Sequence, residues 1–313
     1  MNIDRLKPVF IMACPRSGTT MIASQLGVHP DVIVLPELPF LSMILLAARN
    51  NSLAEDIYYK LIKHHKFDTL GIDVDRSLFI KNWNSDGWKG ALSLIFECYF
   101  EKNNISFSND RQLFWIEHYP GNVNNFYLLL QFFPSAKFIH IYRDPRAIYS
   151  SIKSLPRWPV GEPLRLANSW IQPVSKAFIL RDSHPDIVAQ VKYEDYVQDE
   201  NELRRICRFI GVEFREAMLD GGGIILPEFT RGQHRLTMRR SDPEQAQAWR
   251  SKVSKRESDV ISALCFEFMI YCGYVSSNEY FSRPTKFEKI KWLAVRMARH
   301  ISSRIRVKFE RHK

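Results

Sequence analysis

The stretch MACPRSGTT, residues 12 to 20, puts a guanidinium, a glycine and three hydroxyls between the apolar run PVFI and a second apolar run that starts at Met21. That pattern reads as a strand turning sharply into a helix. Such a turn aims unpaired backbone N–H groups at one point, and the helix dipole adds partial positive charge there, so an anion is the natural ligand. Gly18 lets the backbone approach closely, the hydroxyls of Ser17, Thr19 and Thr20 supply further donors, and Arg16 offers a planar fork. The plainer alternative is a helix capped by Ser or Thr. Three other side chains sit at the ends of apolar runs: Glu37 after VIVLP, His118 after LFWIE, and Arg143 after FIHIY.

The opening loop departs from the phosphate-binding pattern G-x-x-x-x-G-K-[ST]. Ala13 replaces the first glycine and Thr19 the lysine, while Gly18 and Thr20 remain. Loss of the lysine weakens a nucleoside-triphosphatase or kinase reading. Thr20 and Asp144 could still ligate Mg²⁺, so a metal-dependent phosphotransferase with a degenerate loop is one alternative. A non-catalytic nucleotide-binding or membrane adaptor is another.

The elements needed to position these groups follow from periodicity. Residues 8–26 read as strand, turn, helix, and DVIVLPE (31–37) as a short strand or extended segment. Residues 41–66 read as helical, with an aromatic, polar and glycine-containing stretch after them. QLFWIEH (112–118) and AKFIHIYRDP (136–145) each read as a buried strand with a helix beside it, and DIVAQVKYEDYV (186–197) as a strand ending near Tyr193 before a helix that stops at Gly211. Alternating strands and helices predict an α/β fold with a mostly parallel central sheet. In such sheets ligands gather beyond the carboxyl ends of the strands.

PRSGTT resembles the 5′-phosphosulfate loop of the sulfotransferases that use 3′-phosphoadenosine 5′-phosphosulfate (PAPS), in particular the branch containing tyrosylprotein sulfotransferases and bacterial carbohydrate and lipid sulfotransferases. The resemblance continues in order through HPDV (29–32), FPSAKFIHIYRDPRAIYSS (133–151), VKYEDYV, CRFIGV, WRSKVS (249–254) and CGY (272–274). It implies a P-loop NTPase-like three-layer fold over residues 1–282, PAPS as donor, adenosine 3′,5′-bisphosphate as product and no metal. Arg16, Ser17, Gly18, Thr19 and Thr20 would hold the 5′-phosphosulfate, with Arg16 also catalytic. Arg143 and Ser151 would hold the 3′-phosphate, Tyr193 would lie near the nucleotide, and Arg239 would return to it from a late loop. Glu37, eight residues after His29, matches the catalytic base of tyrosylprotein sulfotransferases. His118 stands where that branch usually has a lysine, and related cytosolic enzymes use a histidine base, so Glu37 and His118 compete for the role, with Glu37 preferred.

The 313-residue chain carries a net charge of +10, unevenly spread. Residues 283–313 hold eleven Lys/Arg against two Glu, or +9, leaving +1 for the rest, which argues against a uniformly basic nucleic-acid binder. Ile290, Leu293, Met297, Ile301 and Ile305 recur there at three- and four-residue steps, describing a basic amphipathic helix suited to an anionic membrane surface, to packing on the body, or to a second subunit. Homo-oligomers stay open. No apolar run is long enough to span a bilayer and no apolar leader precedes the first strand, so the expectation is a cytoplasmic protein, peripheral on the membrane if the tail docks there. Five scattered cysteines without CxxC spacing read as reduced thiols. The acceptor is expected to be a hydroxyl of a glycan, glycolipid or small molecule. Phe79, Trp83, Trp88, Phe114, Trp115 and Trp158 would either stack on sugar faces or fill the core.

Overall fold

The computed structural model describes residues 3–106, 111–153, 155, 163–226, 240 and 242–294. β1 (Leu6–Ala13) turns into α1 (Thr19–Leu26), and β2 (Val32–Val34) is followed by α2 (Leu41–Arg49), α3 (Ala54–Ile62) and α4 (Arg76–Lys102). Next come β3 (Leu113–Glu117), α5 (Phe126–Phe132), β4 (Lys137–Tyr142), α6 (Pro145–Lys153) and α7 (Pro163–Ser183). β5 (Val188–Lys192), α8 (Tyr193–Gln198) and α9 (Glu200–Ile210) follow. The sheet runs β2-β3-β1-β4-β5 with every pair parallel, as the alternating pattern predicts.

The chain divides into two compact units, Met1–Arg143 with Pro173–Ala246, and Asp144–Gln172 with Gln247–Lys313. The first holds the sheet. Along β1 the side chains alternate: Leu6, Phe10 and Met12 enter one core with α2, α3, α4 and α5, while Val9, Ile11 and Ala13 enter a second with α1, α8 and α9. Period-two alternation thus builds both faces of a sheet covered by helices, giving three layers. β1 is central, with chain connections leading to β3 and β2 on one side and to β4 and β5 on the other. This places the loop after β1 at the topological switch point.

Two stretches differ from the sequence reading. The helical region at 41–66 breaks between α2 and α3, where Asn51 takes a left-handed φ of 51°. The polar, aromatic stretch beyond it contains the 27-residue α4, capped by Asp75 (Leu78 N–H to Asp75 Oδ1, 2.8 Å) and kinked at Gly87. The kink interrupts the helical period, which conceals the element from pattern reading. Phe79, Trp83, Phe114 and Trp115 are buried core residues, and half-buried Trp88 packs edge-on against Phe132 and Phe133. Trp158 lies outside the described residues.

In the second unit, α6 meets the helix Lys255–Tyr271 through Glu257, which accepts from Tyr149 Oη (2.9 Å) and Lys153 Nζ (2.8 Å). Asp144, the acid a magnesium-dependent reading requires, is buried with Arg146: Oδ1 accepts from the Arg146 backbone N–H (2.8 Å) and Oδ2 from Nη2 (2.7 Å). The Arg146 guanidinium also lies 4.4 Å from the Trp249 ring centroid.

The first unit contains a backbone contact that only glycine permits. Gly27, just after α1, abuts Gly223, whose N–H donates to Ser24 O (2.9 Å). A Cβ at Gly27 would lie 2.0 Å from Gly223 O. Gly27→Ala should therefore lower stability by about 2 kcal/mol or more, read as a lower urea midpoint at unchanged slope.

Candidate functional site

The loop between β1 and α1 is curled by two left-handed residues, Arg16 (φ 72°) and Gly18 (φ 106°), the first of them unusual for a non-glycine residue. The Ser17 N–H closes the turn on Cys14 O (3.2 Å), and α1 begins at Thr19 with Gly18 as its cap. The first N–H groups of α1 have no preceding helical carbonyl and face the end of the sheet. Ser17 Oγ is fully buried and has no hydrogen-bond partner among the described residues. Thr19 and Thr20 are buried beside it. A Cβ at Gly18 would lie 2.8 Å from the Tyr193 ring, so the loop is fitted against that residue as closely as backbone allows. Cys14 is buried and its thiol is pushed up to about 12 by burial, which removes it as a nucleophile.

Arg143, at the carboxyl end of β4, brings a second guanidinium to this loop. Its Nη1 donates to Arg16 O (3.3 Å), and its guanidinium stacks 3.9 Å from the centroid of Tyr193, the first residue of α8. Burial lowers the pKa of Arg16, the nearby charge of Arg143 lowers it further, and Glu37 opposes both. Two like charges, an orphaned hydroxyl and a helix N-terminus thus converge on one place, and that donor set fits a phosphate or sulfate group.

A second cluster flanks it. Glu37 is partly exposed (27% of its side chain) and ion-paired to Lys66 through Oε2 at 3.1 Å. Lys66 lies in the turn after α3, which packs Phe67 edge-on against Phe40, three residues beyond Glu37. No spacing rule joins residues 29 positions apart, so sequence reasoning missed Lys66. His118 is buried with neither ring nitrogen partnered among the described residues. Burial lowers its pKa, the Glu37 carboxylate and its own backbone push back, and Lys66 lowers it again, so the ring is neutral near pH 7.

Glu117, also missed, underlies this cluster. It is fully buried at the end of β3, and its Oε1 accepts from the backbone N–H of Leu38 (2.8 Å) and of Tyr119 (2.9 Å). Oε2 accepts from Asn122 Nδ2, which also donates to Ile11 O on β1 (3.1 Å). One carboxylate therefore ties the backbone beside Glu37 and the His118 turn to the central strand. The only available signal was a charged residue inside a strand otherwise buried throughout.

Of the remaining expected site residues, Ser151 is half-buried on α6 in the second unit, and Arg239 lies outside the described residues. Its neighbour Arg240 is ion-paired to Glu200.

Burial raises Glu117 from its ordinary 4.5 to about 7, with the hydrogen bonds from Leu38, Asn122 and Tyr119 acting in the opposite direction. A carboxyl that holds its proton more tightly when folded destabilises the fold as pH rises from the unfolded pKa through the folded one. Glu117→Gln should therefore gain roughly 3 kcal/mol relative to the parent protein between pH 4.5 and about 7, measured by urea unfolding at a series of pH values.

A Sulfotransferase family profile matches residues 8–216 of the chain. Among solved structures, the chain is similar to the sulfotransferase domain of the olefin synthase from Synechococcus PCC 7002, at 22% identity over 87% of this chain and 96% of that one, with a TM-score of 0.56. It is also similar to the sulfotransferase domain from the curacin biosynthetic pathway, at 17% identity over 86% and 98%, again with a TM-score of 0.56. These two likenesses show the fold. A comparison with curated proteins found no match. The profile covers well over half of the chain, including most of β1, its loop, the other four strands and α9, and on that basis the protein belongs to the sulfotransferase family.

Proposed function

We propose that this sulfotransferase moves a sulfuryl group from PAPS to a hydroxyl of a carbohydrate, glycolipid or other small-molecule acceptor, releasing adenosine 3′,5′-bisphosphate. The observation that carries the reading is Ser17: a buried hydroxyl without a partner among the described residues, in a loop where Arg16, Arg143 and the start of α1 concentrate positive charge. Ser17, Gly18, Thr19, Thr20 and Arg16 would hold the 5′-phosphosulfate. Arg143 and Ser151 would hold the 3′-phosphate, Tyr193 would back Arg143, and Arg239 would approach from the late loop. The donor supplies an activated sulfuryl group bonded to phosphate oxygen.

The residues divide the work of transfer. Arg16 and the first N–H groups of α1 meet the negative charge that builds on the leaving phosphate as its bond to sulfur breaks. Glu37 takes the acceptor's hydroxyl proton as the new oxygen–sulfur bond forms, since its exposure lets it reach an acceptor while His118 is buried. Lys66 holds Glu37 in place between turnovers. His118, neutral and unpartnered, orients the acceptor or the carboxylate. The magnesium-dependent alternative is disfavoured because the Asp144 carboxylate is engaged on both oxygens by Arg146.

Replacing Arg143 with alanine should weaken binding of adenosine 3′,5′-bisphosphate by about 1.5 to 3 kcal/mol, the worth of a charged hydrogen bond; parental affinity in calorimetry would remove Arg143 from the site. Glu37→Gln should lower turnover of labelled PAPS about 10²- to 10⁴-fold while bisphosphate affinity is unchanged. A fully active variant would move the base to His118.

A further inference from the structure

Residues 286–294 form a helix that holds to the second unit by its polar side. Glu288 accepts from Arg256 Nε (2.9 Å) on the helix Lys255–Tyr271 and from the Thr285 N–H (2.7 Å), while Thr285 Oγ1 accepts from the Glu288 N–H (3.2 Å) in a reciprocal cap. Three apolar residues turn outward, Phe287, Ile290 and Leu293 at 75%, 65% and 56% exposed, while Trp292, one turn after Glu288, is half-buried. A helix that packs its stripe on the body shows the opposite arrangement. Lys286, Lys289 and Lys291 are exposed alongside.

Charge selects what covers this face. Residues 283–313 carry eleven basic residues against two acidic ones, and the apolar spacing continues in the sequence at Met297, Ile301 and Ile305. A second copy would present the same +9 and be repelled. An anionic lipid surface presents opposite charge above an apolar layer. We propose that the helix 286–294 docks on an anionic lipid surface, inserting Phe287, Ile290 and Leu293 while Lys286, Lys289 and Lys291 meet the headgroups. No described helix is long and apolar enough to cross a membrane, and this face needs none, because it lies in the interface. The proposal is independent of the catalytic reading.

The test is sedimentation of the full chain with phosphatidylcholine vesicles with and without phosphatidylglycerol. Binding is expected only with phosphatidylglycerol and should weaken as salt rises. Ile290→Asp with Leu293→Asp should cost about tenfold or more in vesicle affinity, and Lys289→Gln and Lys291→Gln about fivefold each, all with an unchanged thermal unfolding midpoint because these side chains are exposed. Equal binding to pure phosphatidylcholine, absence of binding, or parental affinity in the Asp double variant would overturn the proposal. A concentration-dependent dimer lost in the double variant, without vesicle binding, would assign the face to a second copy.

Discussion

The structure is organised around a concentration of positive charge at the end of β1. Arg143 makes ionisation of Arg16 more costly, the N-terminus of α1 adds the same sign, and the buried hydroxyl of Ser17 contributes a donor without a protein acceptor among the described residues. Such an arrangement is stable only if the fold enforces it and useful only if an anion completes it. Enforcement comes from the central position of β1, with parallel neighbours on both sides. Tyr193 completes it, pressing against Gly18 with its edge and carrying Arg143 on its face.

The second cluster depends on the same strand for a different reason. Glu37 lies in an extended segment after β2, where no regular hydrogen bonding fixes it. Glu117 supplies that constraint by accepting the adjacent Leu38 N–H, and Asn122 relays it to Ile11 on β1. The Glu37 segment and the anion loop therefore share one mechanical reference. Lys66 reaches the cluster from a turn that belongs to neither strand, pairing with Glu37 and adding a positive charge that acts on His118.

Legibility tracked locality. The loop from Cys14 to Thr20, the five strands and α9 were readable because turn chemistry, short apolar runs and helical periodicity act over a few residues. Arg143, Tyr193 and Glu37 came from an ordered set of blocks resembling a family. Lys66 and Glu117 were missed because their roles exist only through contacts between distant segments, and α4 was hidden by the break at Gly87. Of the aromatic residues that left two readings open, Phe79, Trp83, Phe114 and Trp115 proved to be core, a choice that composition cannot make.

The central claim is that the charged loop recognises a nucleotide carrying phosphates at both the 3′ and 5′ positions. Calorimetric titration with adenosine 3′,5′-bisphosphate, AMP and ATP, each with and without magnesium, tests it most directly. The account predicts selective binding of the bisphosphate that is indifferent to magnesium. Preference for ATP in the presence of magnesium, or no nucleotide binding, would contradict it.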